Sequence, residues 1–324
     1  MSFWKDKKVL VTGAAGFVGV NMLHRLVSLG ATVRATVHRK DPLFYNTAID
    51  YFKCDLTNNL DCLKAVEDID LIYHCAANTS GAATIEKTPL VHVTPNIVMN
   101  AQLLEAAYFA GVKKFVWIGS STGYPLTDNR PVEEHEMMDG DPYEKYFCVG
   151  WMKRYTEVLC QTYALKLARS MPTVVLRPTN IYGDFDDYEF ETSHVFAALI
   201  RRVVERQHPF EVWGTGEDIR DLIYIDDFVD AMICAAEKCE VYDAFNIGLG
   251  EGYSVNDVLS LMLKEDGFRD AQVVYNTDKP TMIPVRLVDV RHAKKVLGFE
   301  AKTTLPEGIR KTLLWYRENK LKEV

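Results

Sequence analysis

Short apolar runs alternate with longer amphipathic segments through the first half of the chain. Six of the runs are rich in β-branched and aromatic residues and predict strands: Val9–Thr12, Thr32–Val37, Tyr51–Cys54, Leu71–Cys75, Phe115–Ile118 and Thr173–Leu176. The near-continuous hydrophobicity of the fourth run indicates a strand that is covered by helices on both faces. Strands that alternate with helical segments predict a doubly wound α/β fold with a parallel sheet.

The helical segments show the expected period. In Asn96–Ala110, apolar residues recur at intervals of one, three and four, and Gly111 follows as a candidate C-terminal cap. This pattern predicts an amphipathic helix that packs against the sheet.

The alternation changes after about residue 180, where aromatic and acidic segments, Gly-rich turns and short apolar runs follow one another. We expect Leu222–Ile225 and Ala244–Ile247 to return to the main sheet as strands. The predicted organisation is a large sheet domain and a smaller second domain, made respectively of residues 1–180 with 221–248, and of 181–220 with 249–324.

Composition excludes several classes of protein. The 324 residues are 48% hydrophobic and 25% charged, with a net charge of −8 and no evident basic face, so we expect no nucleic-acid partner. The apolar runs fall far short of the roughly 20 residues that span a bilayer, so no membrane segment is expected. The N-terminus lacks a signal-peptide core, which favours the cytoplasm. The seven cysteines form no Cys-x-x-Cys pair, so we expect reduced thiols and no metal site.

A glycine-rich turn lies between the first predicted strand and a helix that runs to about Leu29. Such a turn lets the backbone approach a pyrophosphate, and the helix N-terminus supplies unpaired amides and a partial positive charge. The turn predicts a Rossmann-type dinucleotide site whose residues are Gly13, Gly16, Phe17, Val18 and Gly19.

The second strand ends in a run of positive residues. NAD-preferring folds of this kind carry a carboxylate at that point, which binds the ribose 2′-hydroxyl. Here the residues are His38 and Arg39, followed by Lys40, and this charge favours a 2′-phosphate and therefore NADP(H). NAD(H) stays possible, because a basic run is also common in solvated loops.

Motifs at the next three strand ends resemble those of the extended short-chain dehydrogenase/reductase superfamily, in its sugar-nucleotide epimerase/dehydratase branch. They are Cys54-Asp55-Leu56, His74-Cys75-Ala76-Ala77 and Gly119-Ser120-Ser121-Thr122-Gly123-Tyr124. The resemblance implies that Asp55, Leu56, Ala76 and Ala77 bind the cofactor. It also implies that Ser120 contacts the reacting sugar hydroxyl.

Later segments resemble GDP-L-fucose synthases and related GDP-sugar reductases and epimerases. This resemblance covers Leu176–Gly183, Thr192–Val195 with the two arginines that follow, and Val212–Asp227. Arginines can hold a diphosphate through bidentate, charge-assisted bonds, and a tryptophan offers a flat face to a base or sugar. The resemblance implies that Pro178 touches the cofactor and that the substrate is bound by Asn180, Arg202, Trp213 and Arg220.

The family's proton-transfer tyrosine lies four residues before a helical lysine. Lys153 fits the lysine position, but Val149 stands where the tyrosine belongs. One account is that Tyr146, or less favourably Tyr143, reaches the site from the segment before the helix.

Two further accounts remain. In the first, a different acid serves, either His194 or a water held by Ser120 and Thr122. His194 lies in a Ser-His-Val context that the resemblance connects with acid catalysis, and histidine titrates near neutral pH. Thr122 replaces a family cysteine, which argues against double epimerisation at C3 and C5. In the second account, the protein binds its ligands without efficient hydride transfer.

The sequence therefore predicts an NADP(H)-dependent enzyme that modifies a nucleotide-diphosphate sugar, preferably GDP-linked, by hydride transfer at C4 as a 4-ketosugar reductase or epimerase. One alternative is an epimerase or dehydratase that retains its cofactor, and another is a non-catalytic NADP-binding sensor. The resemblance also implies a homodimer formed through the helices near Asn96–Ala110 and Gly150–Leu165.

Overall fold

The computed structural model describes residues 3–79, 88, 90–189, 192–279 and 281–321. Fourteen strands occur in these ranges: β1 (Lys8–Thr12), β2 (Thr32–Val37), β3 (Ile49–Lys53), β4 (Leu71–His74), β5 (Lys114–Ile118), β6 (Thr173–Pro178), β7 (Asn180–Tyr182), β8 (Phe210–Trp213), β9 (Ile219–Arg220), β10 (Leu222–Tyr224), β11 (Asp243–Ile247), β12 (Tyr253–Ser254), β13 (Val273–Asn276) and β14 (Val285–Arg286). The α-helices of the same ranges are α1 (Phe17–Ser28), α2 (Asn59–Ala65), α3 (Leu90–Ala110), α4 (Phe147–Leu165), α5 (Val195–Val204), α6 (Ile225–Lys238), α7 (Val255–Asp266), α8 (Arg291–Leu297) and α9 (Leu305–Asn319).

Seven of the described strands form a parallel sheet in the order β11-β6-β5-β4-β1-β2-β3. Alternate residues of β1 enter different hydrophobic clusters: Val9 and Val11 pack in one cluster, and Leu10 packs in the other. Residues of α1 and α6 line the first cluster, and residues of α2, α3 and α4 line the second. Both faces of the sheet are therefore covered, and the doubly wound α/β prediction is confirmed.

The six predicted strands of the first half all exist, and their ends agree with the prediction to within two residues. The predicted helix Asn96–Ala110 also exists, but it begins at Leu90 and includes Pro95. Ala244–Ile247 rejoins the main sheet within β11, as expected.

The prediction for Leu222–Ile225 is wrong in one respect. Its first three residues form β10, but β10 pairs with β7 and not with the main sheet. The reason is that β11 already occupies the edge of β6 where a further strand would add.

Short sheets follow the carboxyl end of β6. Besides the β7–β10 pair, β9 lies between β12 and β14, and β8 pairs with β13. In doubly wound folds, ligands bind beyond the carboxyl ends of the strands. The chain therefore places its irregular half where a ligand cleft is expected. Among the described residues, no helix combines the length and apolarity needed to cross a bilayer.

Candidate active site

The glycine turn between β1 and α1 is shaped by two close backbone approaches. Gly13 has φ of 68°, and a Cβ there would stand 2.7 Å from the Ala76 Cα. A Cβ on Gly19 would overlap the Gly13 carbonyl oxygen. Gly16 is the N-cap residue of α1 and has no side chain that could cap the helix. The backbone amides at the start of α1, at Phe17 and Val18, are therefore not capped by the Gly16 position. This arrangement fits a pyrophosphate, which accepts hydrogen bonds from such amides.

The ends of β2 and β3 bring a histidine beside a carboxylate. The Nε2 atom of His38 lies 3.7 Å from an oxygen of Asp55, and both side chains are about half exposed. The Thr57 hydroxyl and amide donate to Asp55, and they lower the pKa of this carboxyl. Arg39 is exposed next to this pair, whereas Leu56 is buried. The structure therefore gathers the residues proposed for the adenosine end of the cofactor.

The strand ends β4 and β6 border the same region. Ala76, half-buried, directs its amide to the Thr12 hydroxyl at 3.0 Å, and Ala77 is exposed. Pro178 is buried at the end of β6, where it pairs with Ile247.

Ser120 and Thr122 form a local unit at the end of β5. The Thr122 amide donates to Ser120 Oγ at 3.1 Å, and the Thr122 hydroxyl donates to the same atom at 2.9 Å. Because both bonds are accepted by Ser120, its own hydroxyl proton is available for a ligand. A Cβ on Gly150 would lie 2.9 Å from the Thr122 carbonyl oxygen, so the first turn of α4 packs directly on this unit.

Lys153 lies in the second turn of α4. Its Nζ donates to the Ile118 carbonyl at 3.1 Å and lies 4.9 Å from the centre of the Trp117 ring. Burial lowers the pKa of this ammonium to about 8, and the Glu157 charge opposes the change. The Glu157 carboxylate is bound by the Arg177 guanidinium at 2.9 and 2.6 Å. Lys153 is thus held beside the Ser120 strand and loses its proton more readily than an exposed lysine.

Tyr146 immediately precedes α4, and its ring makes an edge contact with Tyr143 at 6.0 Å. Burial raises the pKa of the Tyr146 phenol, while the positive charges of Arg220 and Arg286 lower it. Tyr146 is therefore grouped with these arginines. No contact recorded in the described ranges joins its hydroxyl to Lys153.

Arg220 and Arg286 are partners in the register of β9 and β14. Arg220 donates to the Ile219 and Pro284 carbonyls and lies 3.3 Å from Asp218. Burial lowers the pKa of Arg286 to about 10, and the Arg220 charge adds to this effect. The two neighbouring cations favour an anionic ligand.

Sequence reasoning missed Arg286. It is 5% exposed, donates to the Tyr124 and Pro125 carbonyls, and has a buried Nε without a partner in the described part of the chain. The signal that could have found it is a single arginine within the apolar run from Ile283 to Val288. A cation in such a run is rarely buried unless something pairs with it.

The other predicted substrate residues are more dispersed. Asn180 begins β7, and its backbone amide donates to the Asp221 carbonyl next to Arg220. Trp213 ends β8, with the Lys279 ammonium 5.3 Å from its ring centre. Arg202 on α5 donates to the Glu211 carbonyl and keeps a buried Nε that has no partner in the ranges described.

His194 precedes α5 and is exposed to solvent at the surface of the chain. Desolvation by neighbouring protein atoms lowers the pKa of its imidazole, and the Asp187 charge opposes this change. No contact within the described residues links His194 with Ser120, so the structure does not bring these two candidates together.

A separate open cavity of about 650 Å³ lies behind α4, with Glu157, Arg177 and His292 among its lining residues. Its charged groups are largely paired with each other, since Arg177 binds Glu157 and His292 lies 3.0 Å from Asp243. The cavity contains none of the predicted site residues. The residues that the sequence predicts to bind the cofactor and the substrate therefore all lie outside this cavity.

The model of the NAD dependent epimerase/dehydratase family matches residues 9–248, which include the glycine turn, the Ser120 strand and Lys153. The chain belongs to this family. It is an NAD(P)-dependent enzyme family of nucleotide-sugar metabolism, and the family assignment confirms the resemblance drawn from the motifs.

Curated relatives match along nearly the whole chain. A probable GDP-L-fucose synthase 1 of Oryza sativa subsp. japonica is 29% identical over 98% of this chain and 95% of the relative. GDP-mannose 3,5-epimerase 1 of Oryza sativa subsp. indica is 28% identical over 99% of this chain and 85% of the relative.

Solved structures of other family members have the same fold. The UDP-glucose 4-epimerase of Thermotoga maritima, solved with UDP-glucose, has a TM-score of 0.87 and 27% identity, over 96% of this chain and 99% of the neighbour. The UDP-glucuronic acid 4-epimerase of Bacillus cereus, solved with UDP-glucuronic acid and NAD, has a TM-score of 0.84 and 28% identity over the same shares of the two chains.

Proposed function

We propose that this family member is an NADP(H)-dependent enzyme that acts on a GDP-linked sugar by hydride transfer at C4, as a 4-ketosugar reductase or epimerase. The observation that carries the proposal is the arginine pair of Arg220 and Arg286 beside the segment that leads into the Lys153 helix. A diphosphate at the arginines leaves the sugar to extend toward Ser120 and Lys153. The cleft thus has a charge pattern that matches the anionic and reactive ends of a nucleotide sugar.

When bound, the nicotinamide supplies the hydride that forms the new C–H bond at the carbonyl carbon. Ser120 donates a hydrogen bond to the carbonyl oxygen, since its lone pairs are occupied by Thr122. The Lys153 ammonium orients the ribose and stabilises the negative charge that develops on this oxygen. Tyr146 donates the proton that completes the alcohol and regains one from solvent. Epimerisation would add proton removal next to the ketone, with His194 as the base.

The preference for a guanine base is supported by the GDP-sugar relatives, which match over nearly the full length of this chain. UDP-sugars are the direct competitors, because the solved neighbours contain them. Trp213, with Lys279 above its ring, provides a face on which a base can stack.

The preference for NADP(H) is supported by His38 and Arg39 at the end of β2. The 2′-phosphate carries negative charge and would lie between these side chains. Asp55 is already engaged by Thr57 and His38, so it is less available to accept from a ribose hydroxyl.

The decisive experiment incubates the purified protein with GDP-, UDP- and dTDP-linked 4-keto and parent sugars, with NADPH or NADH, and identifies products by mass. We expect reduction of a GDP-linked 4-ketosugar with NADPH. Turnover of UDP-sugars alone would overturn the base assignment. Binding of NADPH with no affinity for any nucleotide sugar would instead support the alternative of a non-catalytic sensor that has lost the usual tyrosine.

The proton donor is tested with a matched pair of tyrosine variants. Tyr146→Phe should lower kcat strongly, whereas Tyr143→Phe, which removes the neighbouring hydroxyl, should not. Normal turnover by Tyr146→Phe would exclude Tyr146 as the donor. A gain of activity in Val149→Tyr would indicate that the native site lacks an efficient donor.

We also propose a homodimer. One face of α4 exposes Phe147, Trp151, Tyr155 and Val158, each between 42% and 50% accessible, and Phe109 at the end of α3 is 74% accessible. Spacings of three and four place the α4 residues on one stripe, and exposed apolar stripes mark interaction surfaces. Light scattering should show a dimer that Tyr155→Glu dissociates. A monomeric native protein would refute the proposal.

A further inference from the structure

A continuous set of buried hydrogen bonds runs from the glycine turn to the catalytic helix. Four side chains from β1, β4, α3 and α4 form it, and each is at most 3% exposed: Thr12, His74, Asn100 and Thr156. The Thr12 hydroxyl lies 2.7 Å from His74 Nδ1, and His74 Nε2 lies 2.8 Å from Asn100 Oδ1. Asn100 Nδ2 donates to the Thr156 hydroxyl at 3.1 Å. We call these four side chains the Thr12–Thr156 relay.

The donor at each step of the relay is determined by its two ends. The Thr156 hydroxyl donates to the Met152 carbonyl at 3.1 Å, so it accepts from the Asn100 amide. The Asn100 oxygen then accepts from His74 Nε2, which leaves Nδ1 without a proton and able to accept from Thr12. Thr12 in turn accepts from the Ala76 amide at 3.0 Å. A single tautomer of His74 therefore satisfies every bond.

The neutral form of His74 that this pattern requires is the form favoured by its surroundings. Burial lowers the pKa of His74 to about 4, and the nearby Lys153 charge also lowers it. The second effect shows that the relay lies within electrostatic reach of Lys153.

Both ends of the relay border the cofactor site. At one end, Ala76 is the residue that a Cβ on Gly13 would strike. At the other end, Met152 directly precedes Lys153 on α4. A shift of α4 along its axis would break the bond between Asn100 Nδ2 and the Thr156 hydroxyl, and this break would leave the buried Asn100 amide unpaired.

We propose that His74 and Asn100 are positioning residues, which fix the turn of α4 that carries Lys153 relative to the glycine turn. This inference rests on the proposed function, in which the glycine turn and Lys153 hold opposite ends of the same dinucleotide. The relay makes the two ends one rigid unit, so that damage at either threonine weakens the whole cofactor site.

The test is a double-mutant cycle with Thr12→Val and Thr156→Val, which remove the two terminal hydroxyls and keep the side-chain shape. We expect each single variant to raise the Kd for NADPH about fivefold, roughly the effect of one lost buried hydrogen bond. We expect the double variant to bind no more weakly than either single variant, because one break already disconnects the relay. Thr156→Ser, which retains a hydroxyl, should restore binding.

Thr173→Val is the matched control. The Thr173 hydroxyl is fully buried and donates to the Cys160 carbonyl of the same helix at 2.8 Å, but it is not part of the relay. Its effect on the NADPH Kd should be small, and its effect on stability should add to that of Thr12→Val. Additive effects in the Thr12 and Thr156 pair, or an unchanged Kd in Thr156→Val, would overturn the proposal.

Failure of the relay is distinguishable from failure of the proposed function. If the protein binds no NADPH, the cofactor assignment fails, and the same cycle measured by thermal unfolding still decides whether Thr12 and Thr156 are coupled. If the double variant does not fold, loss of NADPH affinity in Thr156→Val and its recovery in Thr156→Ser decide the question.

Discussion

The proposed cofactor side and the proposed substrate side of the cleft are built in different ways. On the cofactor side, every group except Lys153 lies at or just after the end of a main-sheet strand, and the glycine turn is a single short motif whose close contacts require glycine. On the substrate side, Arg220 and Arg286 come from two short strands that are distant in sequence and pair only in the folded chain. Local backbone geometry therefore determines the first region, and long-range pairing determines the second.

This difference has a chemical consequence. The cofactor side offers backbone amides, whose positions are fixed by the main sheet. The substrate side offers the guanidinium groups of Arg220 and Arg286, and the charge of Arg220 contributes to lowering the pKa of Arg286. We therefore expect substitutions on one side to affect the binding of one ligand and to leave the other ligand nearly unaffected.

The largest effect is expected for Gly13→Ala. The left-handed backbone costs about 1–2 kcal/mol for a residue with a Cβ, and displacement of the β4 end costs about 1–3 kcal/mol more. NADPH affinity should fall about 100-fold in fluorescence titrations. Gly30→Ala is the control, because Gly30 has φ of 77° but nothing within 4 Å of its Cβ position. Equal losses in both variants would show that backbone strain, and not contact with β4, is the cause.

Arg220→Gln should weaken a nucleotide-diphosphate sugar about thirtyfold, the loss of roughly 2 kcal/mol from a charge-assisted contact. NADPH affinity should not change. Isothermal titration with each ligand measures both values. Arg310→Gln removes an exposed arginine that pairs with Glu265 and should change neither affinity. A parallel loss of NADPH binding in Arg220→Gln would contradict the separation of the two sides.

Arg39→Ser should weaken NADPH about tenfold and leave NADH unchanged, since one cation facing the 2′-phosphate is lost. Dissociation constants for both cofactors give the comparison. The control is Lys64→Ser. Lys64 is an exposed residue of α2, and its replacement makes the same change in net charge away from the predicted site. Equal weakening of NADH would remove the basis for NADP(H) preference.

The smallest effect concerns pH and a buried carboxyl group, Asp186, in the segment that follows β7. Burial raises the pKa of Asp186 from 3.8 to about 8, so the folded state retains a proton that the unfolded state has lost between these values. Stability should therefore fall as pH rises through this window. The Asp186→Asn variant lacks this contribution. The Tm of the variant minus the Tm of the native protein should therefore increase by about 4 °C from pH 5 to pH 8. Asp270→Asn, at an exposed position, should show no such trend.

Much of the fold could be read from the sequence because its signals are local. The strands β1 to β6 are short apolar runs with nearly the predicted ends, and the glycine turn is recognisable from its position between a predicted strand and a predicted helix. Leu222–Ile225 was assigned to the wrong sheet, because an apolar run predicts a strand but does not specify its partner. Arg286 was missed for a related reason, because a single arginine indicates an anion-binding site only when the fold places it beside Arg220.

The sequence by itself determined the α/β class, the glycine turn and the motifs at the strand ends, because each depends on residues within one turn or strand. Tertiary structure alone decided that Arg286 lies opposite Arg220 on a neighbouring strand and that Tyr146 lies near these arginines. It also decided that buried polar groups join Thr12 to Thr156. The physical reason is that these contacts depend on strand register and helix placement, which are set by packing between segments far apart in the chain.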